Sequence, residues 1–157
     1  MAALFAAAVL LDQVTKYLAF RYLKPVRTFP LIRGVLELQY LENRGAAFGM
    51  LENLQWIFIL FALLIMTGCL FYGRSLPDER RYDPLRLCLL FLSAGALGNL
   101  IDRIAHQYVI DFIYFKIINF PVFNAADIYV SVSVTVLVVL VLFFYKDEGT
   151  NGNSSLS

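Results

Sequence analysis

Histidine is almost missing from the 157 residues: His106 stands alone. That excludes the two-histidine zinc signatures and leaves a serine–histidine–aspartate triad only one possible base, in a polar loop. Cysteine is nearly as scarce. Cys69 and Cys88 both lie in apolar runs with no CxxC pair, so no disulfide framework and no thiol-based redox or zinc motif is legible, and both read as packing residues. Charge is sparse as well, at 16% of positions, and 13 Lys+Arg against 12 Asp+Glu lack the basic excess of a nucleic-acid binder. No motif points to a cofactor or a metal. What the chain does have is apolar surface: 60% of it is hydrophobic, against about 45–50% in an average soluble protein, and its mean hydropathy is +0.69. The length holds one small domain, and a membrane is its natural solvent.

Four apolar stretches follow one another. The first runs from Met1 to about Phe20 and is interrupted by Asp12, Gln13 and Lys16; the second, Leu54 to Gly73, has no charge. The third, Leu87 to Ile101, reaches spanning length once its polar end, Asn99 to Arg103, is added; the fourth runs from about Phe123 to Tyr145 with Asp127 near its start. At about 1.5 Å per residue, about 20 residues cross a hydrocarbon core, so all four are long enough. The first stretch lacks a basic start and carries an acid in its middle, so it reads as a retained span and not as a cleaved leader.

Between the first two spans, Val35 to Leu41 alternates, with Leu36, Leu38 and Tyr40 on one side and Glu37 and Gln39 on the other, as in a half-buried strand. The expected architecture is an all-α membrane bundle of four transmembrane helices, at about residues 1–22, 54–73, 85–103 and 123–145. A small amphipathic β-sheet at the membrane surface, at about 25–49, lies between helices one and two. These form a single domain, 1–146, followed by a polar, disordered tail, 147–157. Spans two and three are joined by a short polar loop whose Pro77 and Pro84 break helices, and Ala105 to Pro121 links three and four. An even number of spans puts both termini on one side. Five Lys/Arg lie on that side and seven on the other, so the positive-inside rule taken literally places the termini outside.

The charges inside the spans are the informative residues, because each costs about 2.5–3.5 kcal/mol on insertion scales. Asp12 and Lys16 are four apart and share a helix face, so they neutralise each other; a structural ion pair and a direct catalytic role both remain open. Asn99, Asp102 and Arg103, at i, i+3 and i+4 after the small residues of AGALG, form a polar face that must meet partners inside the bundle. Asn43 and Gly45 stand where the surface region returns to span two, where Asn43 is a turn former or a substrate contact.

Asp111 in VIDFI and Asp127 in FNAAD, three after Asn124, have no obvious counter-ion. Buried in apolar surroundings such acids favour the neutral form, and two close together do not both ionise cheaply. One protonated and one ionised carboxylate make an acid/base pair for attack of water on an amide, with no metal or covalent nucleophile. From the residues alone, the alternative of two separate structural or ion-transporting carboxylates stays open.

DQVTK (Asp12 to Lys16), ENRGAAFG (Glu42 to Gly49), GALGNLIDR (Gly95 to Arg103), VIDFI and FNAAD together, in this order, resemble the lipoprotein signal peptidases, or signal peptidase II, of bacteria. The resemblance covers nearly all of the chain apart from the tail. It implies an aspartyl endopeptidase of the bacterial inner membrane, multi-pass, with both termini cytoplasmic, the β-region extracytoplasmic and the site near the outer leaflet. Its substrates would be prolipoproteins carrying diacylglycerol on the lipobox cysteine, cut on the N-terminal side of that cysteine. By motif, Asp111 and Asp127 would be the catalytic dyad. Asn43, Asn99, Arg103 and Asn124 would contact substrate or the cyclic peptide inhibitor globomycin. Asp12, Lys16, Gly45 and Asp102 would support the site. A monomer without metal or cofactor, in contact with membrane lipids, completes the expectation. Ala94 departs from the family pattern, which often has glycine there, and the stretch before Asp12 is short. Two rival classes are a proton-coupled transporter, disfavoured by the lack of an inverted repeat, and a serine/lysine protease using Lys16 with Ser93, Ser131 or Ser133.

Overall fold

The structure, a computed structural model, describes residues 1–45 and 54–145. The expected tail, 147–157, and the last part of ENRGAAFG fall outside the described residues.

Four helices are long and apolar enough to cross a membrane. The first, α1, covers Ala2–Val26 and runs beyond the expected boundary. Its end is a π-helical turn, Ala19–Leu23, followed by the short turn Lys24–Val26. Pro25 lies in this short turn, beside Val26, the last residue of the helix. Arg27, at φ 67°, ends it. The chain then forms β1, Thr28–Ile32, turns at Gly34 with φ 76°, and returns as β2, Leu36–Asn43. Beyond the undescribed segment come α2, Gln55–Ser75, and α3, Asp83–His106. Strand β3, Val109–Phe115, precedes α4, Ala125–Phe144, whose last five residues form a second π-helical turn.

The three strands form one antiparallel sheet in the order β1-β2-β3. This corrects the expected placement, because the sheet does not lie wholly between the first two helices: its third strand comes from the link between α3 and α4. VIDFIYF lacks the alternation of an exposed strand, and the structure shows why. Val109, Ile110 and Asp111 are consecutive and all buried, so both faces of the strand are covered at that end. The sheet is fastened to the end of α1 by a cluster of Ala19, Leu23, Tyr40 and Ile110, with Leu38, Tyr108 and Phe112 packed against it.

Helix α3 is the centre of the bundle, with 44% of its most apolar stretch buried against 6% for α2 and for α4. It packs against α1, α2 and α4. Two glycines permit this. A Cβ on Gly95 would lie 2.5 Å from the Ala126 carbonyl oxygen and 2.8 Å from Val130 Cγ2, and one on Gly98 would collide with the Asp12 carboxylate. Much of the remaining surface of α2 and α4 is exposed Leu, Val, Ile and Phe, as a lipid-facing helix requires.

The polar residues of the spans meet at these close approaches. Lys16 Nζ lies 2.9 Å from Asp12 and 3.2 Å from Asp102, so the pair read from spacing is a triad joining α1 to α3. Asp12 also accepts the Ala126 N–H at 2.9 Å and so holds the start of α4; Asp102 accepts the Ile110 N–H at 3.0 Å and so holds β3. Gln13 donates to the Gly98 carbonyl and to both acids. Adding volume at this junction should therefore be costly. Gly98→Ala is expected to destabilise the protein by about 1–3 kcal/mol, the usual cost of overpacking, read as a lowered unfolding midpoint in detergent. Gly68→Ala, whose Cβ has nothing within 4 Å, should leave the midpoint unchanged or raise it.

Candidate active site

Two elements bring the unpaired carboxylates together. Asp111 lies on β3 opposite Leu41, where the register between β2 and β3 is irregular. Asp127 lies in the first turn of α4, where a capping box fixes the helix start: the Asp127 N–H donates to Asn124 Oδ1 at 3.0 Å and the Asn124 N–H donates to Asp127 Oδ2 at 3.1 Å. The helix N-terminus favours a negative charge at that position.

Each carboxylate receives two hydrogen bonds. Asp111 accepts from Asn43 Nδ2 at 2.8 Å and from Asn124 Nδ2 at 2.7 Å. Asp127 accepts from Asn99 Nδ2 at 2.8 Å and from the Asn124 backbone. Asn124 therefore touches both acids and also donates to Asn99 Oδ1 at 3.1 Å. Asp111 is 1% exposed. Burial, reinforced by the nearby charge of Asp127, pushes its carboxyl up to about 7, against the bonds from Asn43 and Asn124 and the charge of Lys16.

A cleft of about 1070 Å³ opens beside the pair. Asn43, Arg103, Asp111 and Asp127 supply polar groups to its lining; Leu41, Phe58, Ile113, Phe123, Ile128 and Val132 are among its apolar walls. Asn124 is 0% exposed, and its bonds run only within the cluster. Neither Asn99 nor Asn124 lines the cleft. Arg103 does, stacked 4.7 Å from the Phe58 ring, with an Nε that has no partner among the described residues. Gly45 donates its N–H to Asn43 Oδ1 at 3.0 Å, closing the turn after β2. Beside Asn43, the Lys24 ammonium 2.9 Å from Glu42 holds that carboxyl below its ordinary range.

Three contributors carry no signal strong enough for a role to be read from sequence. Phe58 is one aromatic among many in an apolar helix. Gln55 donates to the Arg44 carbonyl, across the undescribed segment. Gln13 is visible as a polar residue inside a span, but its bond to the Gly98 carbonyl on another helix is not. Among the described residues no three His, Cys, Asp or Glu side chains form a metal-ligand group. Lys16, the base of the serine/lysine alternative, has Asp12, Asp102 and Asn99 as partners, and no serine bonds to it among the described residues.

Over most of its length the chain is similar to known proteins. A family profile described as Signal peptidase (SPase) II matches residues 4–143. The lipoprotein signal peptidase of Clostridioides difficile (strain 630) is 46% identical over 134 residues, covering 85% of this chain and 88% of that protein. That of Caldanaerobacter subterraneus subsp. tengcongensis is 43% identical over 139 residues, covering 88% and 92%. A solved structure described as a bacterial membrane enzyme, determined by the in meso method at 2.3 Å, superimposes with a TM-score of 0.82 at 29% identity, covering 99% of this chain and 93% of that one. A second, at 1.9 Å, gives 0.80 at 30% identity, covering 91% and 92%. The matched region contains the whole polar cluster from Asp12 to Asp127, and this multi-pass membrane chain belongs to the signal peptidase II family of proteases.

Proposed function

We propose that the protein is a membrane aspartyl endopeptidase that removes the signal peptide from diacylglyceryl-modified prolipoproteins, cutting N-terminal to the lipidated lipobox cysteine. The observation that carries this reading is the meeting of Asp111 and Asp127, from a strand and a helix start, on one partly apolar cleft with Asn124 bonded to both.

The chemistry follows from that pair. The substrate amide carbonyl lies between the carboxyl groups, one protonated and one ionised. The ionised one takes a proton from water as the oxygen attacks the carbonyl carbon, and the protonated one donates to the carbonyl oxygen, giving a neutral tetrahedral diol. In collapse, the diol returns a proton to the carboxylate that gave one, and the other acid protonates the departing nitrogen, so the C–N bond breaks and the pair regains its single proton. The fixed amides of Asn43, Asn99 and Asn124 keep both carboxyl groups oriented throughout. Arg103, held on the cleft wall by Phe58, supplies a guanidinium along which substrate carbonyls would lie. The apolar walls suit the lipid chains and the small apolar residues of a lipobox, and globomycin-type cyclic peptides compete for the same space.

The sheet and the pair lie at the end of the bundle where α1 finishes and α4 begins. With both termini cytoplasmic, that end meets the outer leaflet, where a lipid-modified cysteine would sit. The seven Lys/Arg on that side then owe their place to the site and the headgroups. Both carboxylates come from one chain, so a monomer suffices.

The direct test is cleavage of a purified diacylglyceryl lipobox peptide in detergent. Asp111→Asn and Asp127→Asn should each lower kcat by about a thousandfold, within the 10²–10⁴ range of acid/base groups. Substantial turnover by either variant would sink the dyad. A second prediction concerns pH. Asp111 is raised to about 7, so its proton is present below that value and lost above it. The alkaline limb of kcat/KM should therefore fall about tenfold per pH unit with an apparent midpoint near 7. A limb unchanged to pH 9 contradicts the assignment.

A further inference from the structure

Three asparagine amides touch the two carboxylates, and the sense of each is set by a partner that only donates. Asn43 Oδ1 accepts the Gly45 N–H, Asn124 Oδ1 accepts the Asp127 N–H, and Asn99 Oδ1 accepts Lys16 Nζ at 2.9 Å. An amide whose oxygen is held this way turns its NH₂ group to the opposite side. In all three cases a carboxylate is waiting there, at 2.8, 2.7 and 2.8 Å.

Two of these pins are backbone groups of the site itself. The third is the ammonium of α1, a helix that contributes no residue to the cleft lining. Lys16 is 1% exposed and has three protons to donate. Asp12 and Asp102 would satisfy its charge, yet its third contact goes to Asn99, one amide away from Asp127.

We infer that Lys16 is a positioning residue for the reaction: its bond to Asn99 fixes that amide so that a permanent N–H donor faces Asp127, and its charge favours the singly protonated form of the Asp111–Asp127 pair over the doubly protonated one. This rests on the peptidase function proposed above. Asn99 Oδ1 also accepts Asn124 Nδ2 at 3.1 Å, so a neutral residue at position 16 would leave that oxygen with the longer, uncharged bond alone and the Asn99 amide less firmly turned toward Asp127. The charged groups around this relay are Asp12 on α1, Asp102 and Arg103 on α3, Asp111 on β3 and Asp127 on α4. Among them Lys16 opposes the influence of burial and of Asp127 on the Asp111 carboxyl.

The test needs a variant that removes the ammonium without leaving an extra buried charge. Lys16→Met combined with Asp102→Asn keeps the local sum at one negative charge, as in the wild type. Against the diacylglyceryl lipobox peptide, the double variant, folded by thermal unfolding in detergent, should lose about 10- to 100-fold in kcat, the range for groups that orient a reacting side chain. KM should stay nearly constant, and the acid limb of the pH profile should move to higher pH. Asp102→Asn alone is the reference against which these changes in kcat, KM and the acid limb are read, so that they report the loss of the ammonium and not of the Asp102 carboxylate. A folded double variant with unchanged kcat and acid limb overturns the inference, as does one in which KM rises in step with the fall in kcat and the limb stays in place, which marks a structural role. If the double variant does not fold, Lys16→Gln with Asp102→Asn is the deciding protein, since it removes the charge and keeps a polar side chain: an acid limb moved to higher pH against Asp102→Asn alone supports the inference, and kinetics equal to that reference refute it. Failure of the wild type itself to cut the peptide would refute the peptidase function instead, so the two readings fail separately.

Discussion

Burial of Lys16 between Asp12 and Asp102 is the interaction on which the rest of the bundle depends. In a medium that does not solvate ions, a lone charge on any one helix would be too costly to insert, and the triad resolves this by making three groups mutually necessary. Its oxygens then serve a second purpose: Asp12 accepts the Ala126 N–H in the first turn of α4 and Asp102 accepts the Ile110 N–H at the entry of β3. The two elements that carry Asp127 and Asp111 are thus each tied to the same ion cluster. Removing one member is expected to cost more than its own contacts, because the partners remain behind in a dry place.

The site obeys the same rule in a different way. Asp111 and Asp127 have no salt-bridge partner among the described residues; their oxygens are met by amide N–H groups. Neutral donors steady a carboxylate without neutralising it, which leaves the pair free to hold or release a proton. A lysine or arginine directly bonded to either acid would have fixed its charge. Position within the fold therefore separates the ion-paired acids, Asp12 and Asp102, from Asp111 and Asp127, although all four are carboxylates of one small bundle, three of them buried and Asp127 partly so.

How much of this was legible in the sequence follows from how local each signal is. The four spans are visible because twenty-residue apolar runs advertise themselves, and Asp12 with Lys16 because helical spacing is local. Asp111 and Asp127 stand out by lacking a neighbour of opposite charge. Asp102 reads only as part of a helix face, because its partner sits 86 positions away on another span. Strand β3 escapes because burial on both sides erases the alternation that reveals β2. The role of Asn99 as a link between Lys16 and Asp127 depends on three helices at once, which no periodicity encodes.

Strand β3 joins two parts of the molecule that differ in kind. On one face, through Ile110, it joins a small apolar cluster that holds the surface sheet to α1; on the other it presents Asp111 toward the start of the last helix. The spacing of the two acids is thus set at a seam between layers, not within a single rigid element. A change that loosens the packing of Tyr40 on the end of α1 would shift the sheet against the bundle, so the alignment of the two acids answers to apolar contacts that touch neither carboxyl group.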